Sequence, residues 1–175
     1  TIPLSLKKFL DKESNNKIIK LNKLIKNDTK NISKYIAEFI NSQKNTVLAI
    51  QGPPGTGKTT VTANCIYKMA SLGLKIAVSS NSHAVINNLL IKVKESCESN
   101  NFDSLVLKSD NRSKPDEDLI KKQISTIPTK KISENVEEAN VIGGTVWALY
   151  DSELTEKFDV LVIDEAGQMS MANLI

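Results

Sequence analysis

Arginine is all but missing from this chain. Of 23 basic residues, Arg112 alone carries a guanidinium. A small-molecule kinase wants arginines on a substrate lid, so that class is disfavoured. Cysteine is equally scarce. Cys65 and Cys97 lie far apart, follow no metal or redox spacing, and fall in helical patterns. Both read as buried thiols, and a disulfide scaffold is excluded. No hydrophobic run is long enough to span a membrane, and no signal-peptide pattern is present. A reducing cytoplasm is the default location. There is one histidine, one tryptophan, no internal repeat and no low-complexity tract.

What is present suits one domain. At 175 residues the chain can bury about 70% of its unfolded surface without a staple. The net charge of +3 is unevenly spread: residues 1–44 hold ten lysines against four acids, giving +6, and the remainder carries −3. The basic leader reads as a solvated helical surface, with a nucleic-acid backbone as the alternative partner. The chain opens on Thr1 and stops at Ile175, and both ends look cut.

Residues 4–42 read as helical, most clearly at Ile32, Tyr35, Ile36, Phe39 and Ile40, with Asp28 or Thr29 as cap. Val47–Ile50 reads as a buried parallel strand. A helix follows from Lys58 to about Leu72, stopped by Gly73. Leu74–Ser79 is a strand, and Ser82 opens the next helix. Leu105–Leu107, Val141–Ile142 and Val160–Ile163 are further strands, and Ile132–Ala139 is a helix. Residues 108–131 are polar, carry Pro115 and Pro128, and read as a loop-rich excursion with one short helix. The alternation predicts an α/β fold with a mainly parallel sheet flanked by helices. It divides into a helical leader over 1–44 and an α/β domain over 45–175.

Gly52-Pro53-Pro54-Gly55-Thr56-Gly57-Lys58-Thr59-Thr60 meets the full Walker A pattern between a strand and a helix. Glycines let the backbone curl so that its N–H groups face phosphate oxygens. The helix beginning near Lys58 adds its positive end. Lys58 is expected to bridge the β- and γ-phosphates of ATP, and the Thr59 hydroxyl to ligate Mg²⁺. The strand Val160–Ile163 runs into Asp164-Glu165. Asp164 is expected to hold Mg²⁺, and Glu165 to polarise the attacking water.

Asp164-Glu165-Ala166-Gly167-Gln168 resembles motif II of superfamily 1 helicases, in the branch related to the nonsense-mediated-decay helicase. Gly52–Thr59 looks like motif I of that branch. Ser79–Leu90 looks like motif Ia, and Val141–Trp147 like the strand-and-threonine motif between Ia and II. The longer strings Ala49–Lys58 and Asp159–Asn173 are similar to bacterial proteins that join a RecB-like nuclease module to such a helicase.

The resemblance covers about residues 45–175 and implies the first RecA-like domain of a motor, incomplete after motif II. It implies single-stranded DNA or RNA as partner, together with a second RecA-like domain of the same parent chain. Ser80, Asn81, Ser82 and Thr145 would touch the sugar-phosphate backbone, and Gln168 would sense the γ-phosphate. Motif Ia carries one extra residue, so the contact falls on Asn81 or Ser82 as readily as on Ser80. No adenine-reading Gln stands 20–30 residues before the loop.

The arginines that reach the γ-phosphate in such motors lie beyond motif II, so the isolated piece is expected to bind nucleotide weakly and hydrolyse it hardly at all. Other P-loop NTPases, such as an AAA-type remodeller, and a non-hydrolysing nucleotide-gated module remain as alternatives. His83 reads as a surface residue at a helix start, or a phosphate donor. Trp147 reads as a buried anchor, with base stacking as the alternative. Met169 and Met171 read as core, and Asp116-Glu117-Asp118 as a solvated helix start.

Overall fold

A computed structural model describes residues 16–53, 55–112, 116–150, 154 and 157–169. Pro54, Met171 and residues 1–15 of the leader lie outside the described residues. The described part of the helical leader forms two helices, α1 (Asn16–Asn27) and α2 (Ile32–Asn41). A short turn at Thr29–Asn31 separates them. Asp28 caps neither helix through its side chain; its carboxylate instead accepts from Asn31 Nδ2 at 2.7 Å and Tyr35 Oη at 2.9 Å.

The remaining helices are α3 (Lys58–Ser71), α4 (His83–Ser99), α5 (Glu117–Lys121), α6 (Ile132–Asn135) and α7 (Val146–Leu149). The strands are β1 (Ile76–Ser79), β2 (Val106–Ser109), β3 (Ser125–Ile127), β4 (Val141–Gly143) and β5 (Val160–Ile163). They form one sheet in the order β3-β2-β4-β1-β5, and every pairing is parallel. This is the flanked parallel α/β sheet that the alternation of patterns predicts.

Side chains alternate across the sheet, as the pleat requires. Ile76, Val78, Val106, Val141, Val160 and Val162 face one cluster, which α2, α3 and α4 supply with Ile36, Ile66, Ile86, Leu89, Leu90 and Val93. Leu107 and Ile142 face the other, with Ile132, Val136, Ala139 and Ala148. Both cysteines are free thiols buried in the first cluster, and burial pushes Cys65 up to about 11.

Three expectations are corrected. Val47–Ile50 is not a strand: the segment is unpaired, and Ile50 is 42% exposed. A strand exists by pairing, and β1 already has β4 on one side and β5 on the other. The open edge on this side belongs to β5, where Leu161 is 57% exposed. The polar excursion contains β3, an edge strand pairing Leu107–Ser109 with Ser125–Ile127, as well as the expected short helix. The helix from Ile132 ends at Asn135, although Val136 and Ala139 beyond it stay buried.

Candidate nucleotide and strand site

The glycine loop owes its shape to two left-handed residues. Gly55 has φ +76° and Gly57 φ +77°, a region that side-chain-bearing residues rarely adopt. Gly57 then starts α3, so that Lys58, Thr59 and Thr60 form the first turn of a 14-residue helix. Inside the curl the Lys58 ammonium donates to the carbonyls of Gly52 (2.7 Å) and Pro53 (2.8 Å), and Thr56 Oγ1 donates to Pro53 (2.8 Å). A methyl group at Gly52 would approach Thr56 Oγ1 to 3.0 Å. The loop is therefore a tight ring with a cation folded onto its own oxygens, chemistry that suits an incoming anion.

The helix axis fixes where this ring lies. α3 is about 21 Å long and returns to the sheet through a turn at Gly73, φ +87°, directly into β1. A helix that runs antiparallel to the strand after it has its N-terminus over that strand's C-terminal end. The acidic pair stands at that same end, because β5 is parallel to β1.

Asp164 N–H donates to Ser79 O at 3.0 Å, adding one rung beyond the ladder, and Glu165 N–H donates to Asp164 Oδ1 at 3.0 Å. Glu165 is held at φ +55°, an uncommon conformation for a residue with a side chain, and it is exposed. Ala166–Gln168 forms a single turn, and Met169 behind it is buried as expected. Among the described residues no group of three or more acids, histidines or cysteines could hold a metal. A Thr hydroxyl with one carboxylate suits Mg²⁺, which keeps several waters and takes the rest of its ligands from phosphate oxygens.

The four strand-contacting candidates separate. Asn81 Nδ2 donates to the Gln168 carbonyl at 2.6 Å, which ties it to the acidic segment. Ser80 is buried at 1% exposure, and its hydroxyl has no hydrogen-bond partner. Ser82 is half-buried at the start of α4. Thr145 starts α7, its Oγ1 accepting from Ala148 N–H at 3.3 Å, and it lines a separate cleft of about 290 Å³.

That cleft was not anticipated. It opens over the tips of β2 and β4 and is lined by His83, Ser109, Asp110, Asn111, Arg112, Thr129, Thr145 and Ala148. Lys108 lies beneath it, fully buried, donating to Ser109 O (2.7 Å) and contacting His83 Nδ1 at 3.1 Å. Burial pulls the Lys108 ammonium down to about 8. The Arg112 guanidinium holds Asp110 bidentately at 2.6–3.0 Å and brings its carboxyl down to about 2. Burial, then Lys108, lower His83. The sequence signal was a run of polar residues, Lys108–Arg112, following an apolar strand to its C-terminal tip. Trp147 is no anchor: it is 76% exposed on α7.

The chain matches the AAA domain family over residues 33–175. It is 31% identical over 126 residues to the DNA replication ATP-dependent helicase/nuclease DNA2 of Saccharomyces cerevisiae, covering 70% of this chain and 8% of that protein. It is 26% identical over 124 residues to the DNA replication ATP-dependent helicase/nuclease JHS1 of Arabidopsis thaliana, covering 70% and 9%. To the DNA-binding protein SMUBP-2 of Mesocricetus auratus it is 26% identical over 184 residues, covering 77% and 18%. The chain thus spans less than a fifth of each of these relatives. No solved structure matches it significantly. With its glycine loop and acidic pair at the C-terminal end of a parallel sheet, the chain belongs to the AAA domain family, as a P-loop domain of the superfamily 1 helicase type.

Proposed function

We propose that this chain is the ATP-binding first RecA-like domain of a superfamily 1 helicase or translocase of the nonsense-mediated-decay-helicase-like branch. In the parent protein, ATP hydrolysis would drive movement on single-stranded DNA or RNA against a second RecA-like domain. The observation that carries the reading is the left-handed Gly55–Gly57 turn delivering Lys58 to the head of α3, at the sheet end where Asp164 and Glu165 emerge.

The roles follow from side-chain chemistry. The amides and side chains of Gly52–Thr60 would hold the phosphates, Lys58 exchanging the Gly52 and Pro53 carbonyls for phosphate oxygens. Thr59 and Asp164 would hold Mg²⁺. Bound Mg²⁺–ATP supplies the scissile phosphoanhydride and neutralises its developing charge. Glu165 orients and deprotonates water, which its exposure allows. Gln168 relays the state of the site to Asn81, with Ser82 and Thr145 completing the strand contacts, whereas Ser80, at 1% exposure, is too buried to reach a strand. Arg112 is no substitute for a γ-phosphate arginine. It follows β2, three strands from β5, about 14 Å along the sheet edge.

Two of the relatives are named as helicase/nucleases, which supports a nuclease module elsewhere in the parent. ATPase assays on the full-length parent, with and without single-stranded DNA and RNA, test the reading. Strand-stimulated hydrolysis that vanishes in Lys58→Ala is expected, with turnover by the isolated chain near background. Robust hydrolysis indifferent to either strand points to another kind of NTPase. No hydrolysis at all leaves a nucleotide-gated binder.

A further inference from the structure

The cleft over β2 and β4 is chemically unlike the nucleotide site. Lys108 is a fully buried cation whose two hydrogen-bonding partners, Ser109 O and His83 Nδ1, are neutral acceptors. Among the described residues it has no ion pair with a carboxylate; the nearby Asp110 is taken by Arg112. A buried charge without its own counter-ion lowers stability, and an anion held in the cleft above this strand tip would complete it.

Arg112 is poised rather than consumed. Nε and one Nη2 hydrogen serve Asp110, which fixes the plane of the guanidinium and leaves Nη1 available. Hydroxyls of Ser109, Thr129 and Thr145 line the rest. The α7 helix, whose Thr145 and Ala148 line this cleft, also carries Trp147 at 76% exposure, with Tyr150 next to its end at 82%. Bare aromatic faces beside a cationic, hydroxyl-lined cleft match the two halves of a nucleotide unit: a base to stack and a phosphate to hold.

We propose that this cleft and the Trp147 indole form a one-nucleotide subsite for single-stranded nucleic acid, with the backbone phosphate on Arg112 and the base on the indole. The inference rests on the nucleic-acid part of the proposed function and assigns Lys108, Arg112 and Trp147 to it. Lys108 acts through charge from below. Stacking tolerates any base, so the subsite grips a strand without reading its sequence.

The chain itself supplies the probes, since Trp147 is its only tryptophan and Arg112 its only arginine. Fluorescein-labelled oligo(dT) and oligo(rU) are titrated into the full chain at low salt. Anisotropy, tryptophan emission and the single Arg Nε–H cross-peak are followed together. The expected result is a rise in anisotropy with quenched emission and a shifted Nε–H. Trp147→Ala should weaken binding about 5- to 100-fold, while Trp147→Phe retains most of it. Arg112→Gln should lower the slope of log affinity against log salt by about one. Both side chains are largely exposed, and cooperative melting curves, with some loss in Arg112→Gln as Asp110 gives up its partner, show that the variants fold. A rise in anisotropy with unmoved tryptophan and arginine signals, and variants that bind as wild type does, overturns the subsite while leaving a nucleic-acid-binding domain. No rise with either oligonucleotide overturns both.

Discussion

Replacing Gly143 with alanine tests how α4 is seated on the sheet. Gly143 ends β4, where α4 crosses it. A methyl group there would stand 2.6 Å from Leu90 Cδ1 and 2.9 Å from Ile86 Cγ2. Carbon atoms rest about 3.5–4.0 Å apart, so the two side chains must retreat by roughly 1 Å. Neither has room, because Ile86 and Leu90 are fully buried in the main cluster. Overpacking of this kind costs about 1–3 kcal/mol. In a domain of this size each kcal/mol lowers the melting temperature by roughly 2–4 °C. Gly143→Ala should therefore melt about 2–12 °C below wild type. Leu90→Ala alone should cost about 2–5 kcal/mol by leaving a cavity. In the double variant the Leu90 clashes are gone and only the 2.9 Å approach to Ile86 Cγ2 remains, so much of the Gly143→Ala penalty should vanish and the pair should couple by at least ~1 kcal/mol. Denaturant melts of the four proteins supply the cycle. Strictly additive losses, or a single variant as stable as wild type, would refute the close seating of α4 on β4.

Lys108→Met should stabilise the protein at neutral pH. Folding lowers the lysine from 10.5 to about 8, so between those values the unfolded chain binds more protons and wild-type stability rises with pH. Below pH 8 the buried charge costs on the order of 3 kcal/mol, less about 1–2 kcal/mol when Ser109 O and His83 lose their donor. A net gain of roughly 1–2 kcal/mol at pH 7 that fades above pH 10 is expected in urea melts; a wild-type profile flat from pH 8 to 10 contradicts it. Lys58→Ala should weaken Mg·ATP binding by the parent about 10- to 100-fold, the worth of charge-assisted contacts, and calorimetry showing equal affinity would remove Lys58 from the phosphates. Glu165→Gly should relieve the left-handed strain at φ +55° and raise stability by about 0.5–1 kcal/mol while abolishing hydrolysis in the parent; Glu165→Gln should abolish hydrolysis without the gain, and equal melting of the two variants would show that the strain is not stored there.

How much of this was legible depended on whether the information is local. Gly73, left-handed at the turn after α3, and Ser82, extended at the start of α4 though its hydroxyl makes no capping bond, bracket these elements by local backbone geometry, and α3, β1 and α4 lie where the pattern put them. The strand Val160–Ile163 was equally plain, being apolar and followed by two acids. Val47–Ile50 misled because an apolar run looks alike whether or not a neighbour exists to pair with it. β3 hid because a three-residue edge strand with Ser and Thr in it has no periodicity to read. The second cleft was beyond reach for a deeper reason. Its lining residues come from four separate stretches, at 83, 109–112, 129 and 145–148, and only the strand order β3-β2-β4-β1 gathers them. Trp147 was misjudged by residue type, since a large aromatic usually buries and this one does not.

The strand order also explains how one short segment meets both sites. β1 lies between β5, which carries the acidic pair, and β4, which leads to Thr145. The chain leaving β1 therefore crosses the boundary between the nucleotide end and the cleft. It touches the first through Ser79 O on Asp164 N–H and Asn81 on the Gln168 carbonyl. It touches the second through His83 on Lys108 and Asp110. Five residues thus hold backbone and side-chain contacts to both, on a strand and the head of a 17-residue helix. Any displacement of the turn Ala166–Gln168 pulls on Asn81 through a 2.6 Å bond, and two residues later the same chain positions the imidazole over Lys108. Asn81→Ala should therefore cut the side-chain tie between the turn Ala166–Gln168 and the chain leaving β1, while Ser79 O and His83 keep their own contacts.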